Sequence, residues 1–205
     1  EILIGLVGSE MCIRDSNVLL GPVWNARLSV RIGEEPSHTP GYSLLVGFNP
    51  NSGGRWNQED SDRLYGYSDQ PGATAQWTQE QLLTDAEARI LSGEIDFSKL
   101  LKQKLRTFLG SDDACVGYSA SVLRHTEFFS LLCNGFYYAA FLLATGGAVQ
   151  VWRSRERGLL LLAPLYILGL TLAQMLVEVA GRYHYSMIPM LLLLGQGTWK
   201  RTGEE

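Results

Sequence analysis

Arg182, Tyr183, His184 and Tyr185 follow one another between two strongly apolar runs, in EVAGRYHYSMIPMLLLL from Glu178 to Leu194. A guanidinium can grip phosphate oxygens through paired N–H donors, an imidazole can give or take a proton near neutral pH, and phenol rings can line a lipid or sugar pocket. Ionisable groups at the edge of an apolar segment are costly to hold there, so they often mark function. The plain alternative is an interfacial belt in which Tyr183, Tyr185 and a snorkelling Arg182 anchor a helix end. Glu178, four residues before Arg182, could then form an i,i+4 ion pair with it.

A second cluster lies in VGFNPNSGGRWNQEDSDRLY, where a Gly-rich turn gathers Asn49, Asn51, Arg55, Trp56, Asn57, Glu59 and Asp60. Amides and carboxylates hydrogen-bond sugar hydroxyls, indole stacks on a pyranose face, and arginine holds phosphate. Turns are built from the same residue types, so on composition alone a structural turn is the stronger reading. Glu59, Asp60, Asp62, Asp112 and Asp113 show no metal-ligand spacing, and no cofactor motif is present. Whether a divalent metal takes part stays open at this level.

These residues need elements to hold them. The alternation of Leu28, Val30 and Ile32 in ARLSVRIG predicts a strand, and YSLLVGF a second short one, with the turn-rich GEEPSHTPG between them. NPNSGG then closes the second strand with paired glycines that permit positive φ. A helix is expected in TQEQLLTDAEARIL, opened by a capping box of Thr78 and Gln81. A second, DFSKLLKQKLRTFLG, opens on Asp96 or Ser98 and stops at Gly110. Its Leu100, Leu101, Leu105, Phe108 and Leu109 share one side, away from Lys99, Lys102, Gln103 and Arg106. Such a basic amphipathic helix fits a membrane interface or the surface of its own domain equally well.

From Phe128 the character changes. FFSLLCNGFYYAAFLLATGGAVQVW and GLLLLAPLYILGLTLAQMLVEVA are each long enough to cross hydrocarbon, which takes roughly 20 residues. A third run, MIPMLLLLGQGTW, is short by that measure. Arg153, Arg155, Arg157, Lys200 and Arg201 flank these runs and mark the cytoplasmic side, which sends the GRYHYS loop and everything before Phe128 outward. The fold expected is therefore a mainly α membrane protein, multi-pass in the cell membrane. Two clear transmembrane helices and a third short one, over 127–205, follow a small α+β extracytoplasmic segment with an amphipathic helix, over 17–126.

Charge narrows the partners. With 17 Lys+Arg against 21 Asp+Glu the net charge is −4, which gives no general attraction to nucleic acid. Of three cysteines, Cys115 and Cys133 have neither CxxC spacing nor a neighbouring ligand set, which disfavours a disulfide framework and a structural zinc. Cys133, in an apolar run, reads as a small buried hydrophobe. The opening GLVGSEMCIRDS, Gly5 to Ser16, resembles a translated sequencing-library transposon adapter, so residues 1–16 are set aside and the natural chain is expected to begin upstream.

The order GFNPNSGGRWNQED, then ARILSGEIDFSKLLKQKLRTFLGSDDACVGYS, then two apolar spans and GRYHYSMIPMLLLL, resembles the C-terminal part of bacterial protein-mannosyltransferase-type membrane enzymes, the family 39 glycosyltransferases of the GT-C class. The likeness covers most of the chain after Tyr42. It is carried by Gly47, Asn49, Gly54, Trp56, Asn57, Glu59 and Asp60, and by Arg182, Tyr183, Tyr185 and Pro189. Where that family often has a tryptophan near the end of the amphipathic helix, this chain has Phe108.

The resemblance implies transfer of a sugar from a polyprenyl-phosphate donor to a protein, lipid or glycan acceptor on the extracytoplasmic face. It places the catalytic acid in an upstream loop outside this chain, so no catalytic residue is assigned and the fragment alone is expected to be inactive. Arg182, Tyr183, His184, Asn49, Arg55, Trp56, Asn57 and Asp60 remain as candidate donor or acceptor contacts, with Arg182 the first choice for the departing phosphate. The competing expectation is a non-catalytic, membrane-tethered extracytoplasmic binding module.

Overall fold

The computed structural model describes residues 23–31, 33, 39–154 and 161–199. Residues 1–16, the basic positions Arg155, Arg157, Lys200 and Arg201, and most of the GEEPSHTPG connection lie outside the described residues. Among those described, the chain is helical and contains no strand. Helix α1 covers 23–31, α2 Gly41–Gly47, α3 Gln58–Ser68, α4 Ala75–Leu91, α5 Phe97–Leu109 and α6 Ala114–Tyr118. The apolar half follows as α7 Thr126–Ser154, α8 Leu162–Leu176, a 3₁₀ turn Gly181–Met187 and α9 Ile188–Trp199.

Both expected strands are thus corrected, and the α+β segment with them. Leu28 and Val30 lie in α1, while Ile32 is outside the described residues. Three alternating positions are too few to outweigh Ala26, Arg27, Leu28 and Arg31, which are good helix formers. YSLLVGF becomes α2 because a seven-residue apolar run carries no period that separates strand from helix. Its Leu45 packs against Leu82 and Ala86 of α4, with Tyr42, Leu64 and Tyr67 around them. Gly41 permits this approach, since a β-carbon there would run into the Gln79 carbonyl. The amide of Tyr42 donates to Gln79 Oε1 at 2.9 Å, and Tyr67 Oη donates to Asp85 Oδ2 at 3.0 Å.

Helix α4 begins four residues before the expected cap, on Thr74, whose hydroxyl accepts from the Trp77 amide at 3.2 Å. Thr78 instead lies buried in its first turn. Helix α5 matches its expected limits, with Asp96 capping through the Lys99 amide at 3.0 Å and Gly110 ending it. Its inner stripe is Leu100, Lys104 and Phe108. Leu101, expected on that side, is exposed.

Lys104 is fully buried and ties the two halves together. Its Nζ donates to the carbonyls of Gly47 at 3.0 Å, Met175 at 2.8 Å and Val177 at 2.7 Å, with the Phe48 ring 5.5 Å away. These oxygens lie at the C-terminal ends of α2 and α8, where helices leave carbonyls without partners and favour a cation. Two backbone bonds add to the joint, Glu178 N–H to Ser43 O and Val179 N–H to Gly54 O, each 2.8 Å.

In the apolar half, Tyr137, Ala144 and Val151 of α7 pack with Leu191 and Leu194 of α9. Gly147 allows the closest approach, because a β-carbon there would strike the Leu194 backbone. Thr126–Arg153 is long and apolar enough to cross a membrane, yet only 17% of its most apolar window is buried. Leu131, Leu142 and Trp152 stand outward at 73%, 74% and 86% exposure. Helix α8 is apolar but shorter, since Val177 leaves helical geometry and the residues after it pair with the polar half.

Candidate functional site

An open cavity of about 880 Å³ lies where the polar helices meet the ends of the apolar ones. The loop between α2 and α3 supplies Arg55 and Trp56, α5 supplies Gln103, Arg106 and Thr107, α6 supplies Ala114 and Tyr118, and the strip after α8 supplies Glu178 and Arg182. Three guanidiniums face one carboxylate, so the cavity favours an anion.

Arg55 and Trp56 are presented by a loop that is itself tightly built. Gly53 and Gly54 hold positive φ of 65° and 75°, the geometry expected of NPNSGG. Asn49 is buried, its Oδ1 accepting from the amides of Asn51 at 3.0 Å and Ser52 at 3.3 Å while its Nδ2 donates to Asp60 Oδ2 at 2.8 Å. Asn57 caps α3 by accepting from the Asp60 amide and donates back to Asp60 Oδ2 at 2.7 Å. Asp60, fully buried, receives both arms of Arg89, at 3.2 and 2.7 Å. Burial alone would raise the Asp60 pKa, but the donors from Arg89, Asn57 and Asn49 outweigh it and hold the carboxyl below its ordinary value. Asn49, Asn57 and Asp60 are therefore occupied in forming the loop, and the exposed Arg55 and Trp56 are what it offers to the cavity.

The RYHY turn divides in the same way. Arg182 faces the cavity, donates to the Tyr118 hydroxyl, and lies 5.7 Å from the Tyr118 ring centre and 5.1 Å from that of Tyr183. Tyr183 packs against the Phe108, Val179 and Met187 cluster. His184 is fully buried, 3.0 Å from Asp112 Oδ1, with the Tyr137 ring 4.7 Å and the Tyr185 ring 5.1 Å away. It braces the turn rather than reaching the cavity. Glu178 lies beyond the end of α8 in non-helical backbone, so the helical i,i+4 pair with Arg182 does not form. Burial raises the Glu178 pKa, with Arg182 partly offsetting it.

Of the sequence candidates, the cavity thus unites Arg55, Trp56 and Arg182. It adds Arg106 and Tyr118, which sequence reasoning did not select. Arg106 was legible as part of the polar face of α5, at helical spacing from Gln103, whereas nothing in the sequence marks Tyr118. Among the described residues no group of three or more His, Cys, Asp or Glu is placed to hold a metal ion. Comparison with protein-family models, characterised proteins and solved structures finds no match.

Proposed function

We propose that the cavity takes the phosphate end of a polyprenyl-phosphate-linked sugar. In this reading the chain is the C-terminal part of a bacterial GT-C glycosyltransferase, multi-pass in the cell membrane, which transfers that sugar to a protein, lipid or glycan acceptor on the extracytoplasmic face. The observation that carries the reading is the presence of Arg55, Arg106 and Arg182 in one cavity at the end of an apolar helical layer. Phosphate is matched by guanidinium forks, Trp56 offers a stacking face for a sugar, and the adjoining apolar surface suits an isoprenoid tail. Large outward apolar side chains along α7 and α8 suit a lipid face, since soluble proteins rarely expose apolar patches of that extent. Helix α7 begins at Thr126, just after α6, and α9 at Ile188, just after the RYHY turn, an order that suits a polar layer lying on one side of a bilayer.

Within this mechanism the cavity arginines stabilise the lipid phosphate as it departs from the anomeric carbon, and the base that deprotonates the acceptor comes from upstream sequence. In a longer protein that includes these residues, Arg182→Ala lowers sugar transfer and donor affinity together. Unchanged transfer would remove Arg182 from the mechanism, and donor binding without any transfer in the longer protein would favour the tethered binding module.

A further inference from the structure

Among the described residues that line the cavity, Glu178 is the one carboxylate, set among Arg55, Arg106 and Arg182. Its backbone is fixed by three separate segments. The Glu178 N–H donates to Ser43 O of α2 at 2.8 Å, the following amide, of Val179, donates to Gly54 O at 2.8 Å, and the preceding carbonyl, of Val177, accepts from Lys104 Nζ of α5 at 2.7 Å. Gly47 lets α2 come this close, since a β-carbon there would strike the backbone of Val177 and Glu178. The side chain, by contrast, is half-buried and takes no hydrogen bond or ion pair among the described residues. Arg182, four residues on, is turned instead to the Tyr118 hydroxyl and to the Tyr118 and Tyr183 rings.

A carboxylate in this place works against the anion that the arginines favour, and the fold supplies no partner that neutralises it. An acceptor held firmly and left open matches a donor on the ligand. Three guanidiniums against one carboxylate disfavour an ammonium as that donor, which leaves neutral hydroxyls. The two oxygens of a carboxylate can accept from two adjacent hydroxyls at once, as a sugar ring presents them. Gln103 and Thr107 of α5 add neutral polar groups to the same cavity.

We propose that Glu178 is the residue that selects the sugar, its carboxylate accepting from a vicinal diol of the ring whose lipid phosphate lies on the arginines. The inference rests on the glycosyltransferase reading and adds to it a specificity-determining side chain. Glu178 transfers no proton in this role. A uronic acid is disfavoured, because its carboxylate meets that of Glu178.

The test is equilibrium binding of polyprenyl phosphate, bare and carrying glucose, mannose or galactose, to the full chain in lipid nanodiscs. The parent is compared with Glu178→Gln, which keeps the side chain's size and the backbone bonds while removing the charge. In the parent at least one hexose is expected to tighten binding over the bare lipid. Glu178→Gln is expected to remove about tenfold of that gain, yet to bind the bare lipid as tightly as the parent or more tightly, since a charge opposing the phosphate is gone. Damage to the fold would weaken both lipids alike, so the two opposed effects identify recognition of the sugar. No gain from any hexose in the parent, a gain that survives in Glu178→Gln, or equal weakening of both lipids would overturn the assignment of Glu178 while leaving the phosphate site standing. A parent that binds neither form of the lipid would overturn the glycosyltransferase reading, and this inference with it.

Discussion

The ammonium of Lys104 donates to the Gly47 carbonyl across 3.0 Å, in a position with no solvent exposure and, among the described residues, no carboxylate within ion-pair distance. Its other two acceptors, Met175 O and Val177 O, belong to the apolar half, so one side chain caps two helices from different layers. The cavity depends on this joint, because Gln103, Arg106 and Thr107 share α5 with Lys104 and Glu178 to Arg182 follow directly from Val177. Lys104→Met removes the charge and three donors together. It is expected to lower stability by about 2–3 kcal/mol, the scale of charged hydrogen bonds, as read by chemical unfolding in detergent.

Burial lowers the Lys104 pKa to about 8. The unfolded chain, with lysine near its ordinary 10.5, then binds more protons than the folded chain between those values. Stability contributed by this site rises as pH is raised from about 8 to 10.5, and Lys104→Met loses that rise. Unfolding measured for both proteins across the window checks the sign.

Asp60 organises the loop that presents Arg55 and Trp56, and Arg89 gives both arms to it. Arg89→Met leaves a buried carboxylate without its cation and is expected to cost about 3–5 kcal/mol. Because the Asp60 pKa is lowered in the folded state, its stabilisation is present above the unfolded carboxylate value and is lost as pH falls through the folded one. Acid unfolding of the parent against Asp60→Asn reads this directly, the variant showing the weaker dependence.

Gly147 faces the Leu194 backbone with no room for a β-carbon. Gly147→Ala should force α7 and α9 apart and cost about 1–3 kcal/mol, whereas Gly135→Ala, which has open space around it, should not destabilise by that route. Paired unfolding curves of the two variants decide it.

Local chemistry made part of this arrangement legible. Asp96 and Gly110 mark the ends of α5 because cap and stop are short-range effects, and the paired glycines of NPNSGG signalled the turn that they form. The strands were misread where tertiary contact decides: α2 is a helix because Leu45 and Gly41 meet α4, and that meeting is not written in seven residues. The RYHY motif was visible as a polar island, but its division into an inward His184 and a cavity-facing Arg182 depends on Asp112, seventy-two residues away from the histidine. Lys104 carries no signal of its own, because a buried lysine looks, in sequence, like any other on a basic helix. Its acceptors come from distant carbonyls, which carry no residue code.

In the proposed function, Arg55, Arg106 and Arg182 together hold a lipid phosphate. The most direct test is equilibrium binding of a polyprenyl phosphate to the chain in lipid nanodiscs, compared with Arg55→Ala, Arg106→Ala and Arg182→Ala. If each guanidinium makes a charge-assisted contact, each loss weakens binding about tenfold or more, and the Asp60-centred loop stays folded in all three. Affinity equal in all four proteins would show that these arginines do not hold the phosphate.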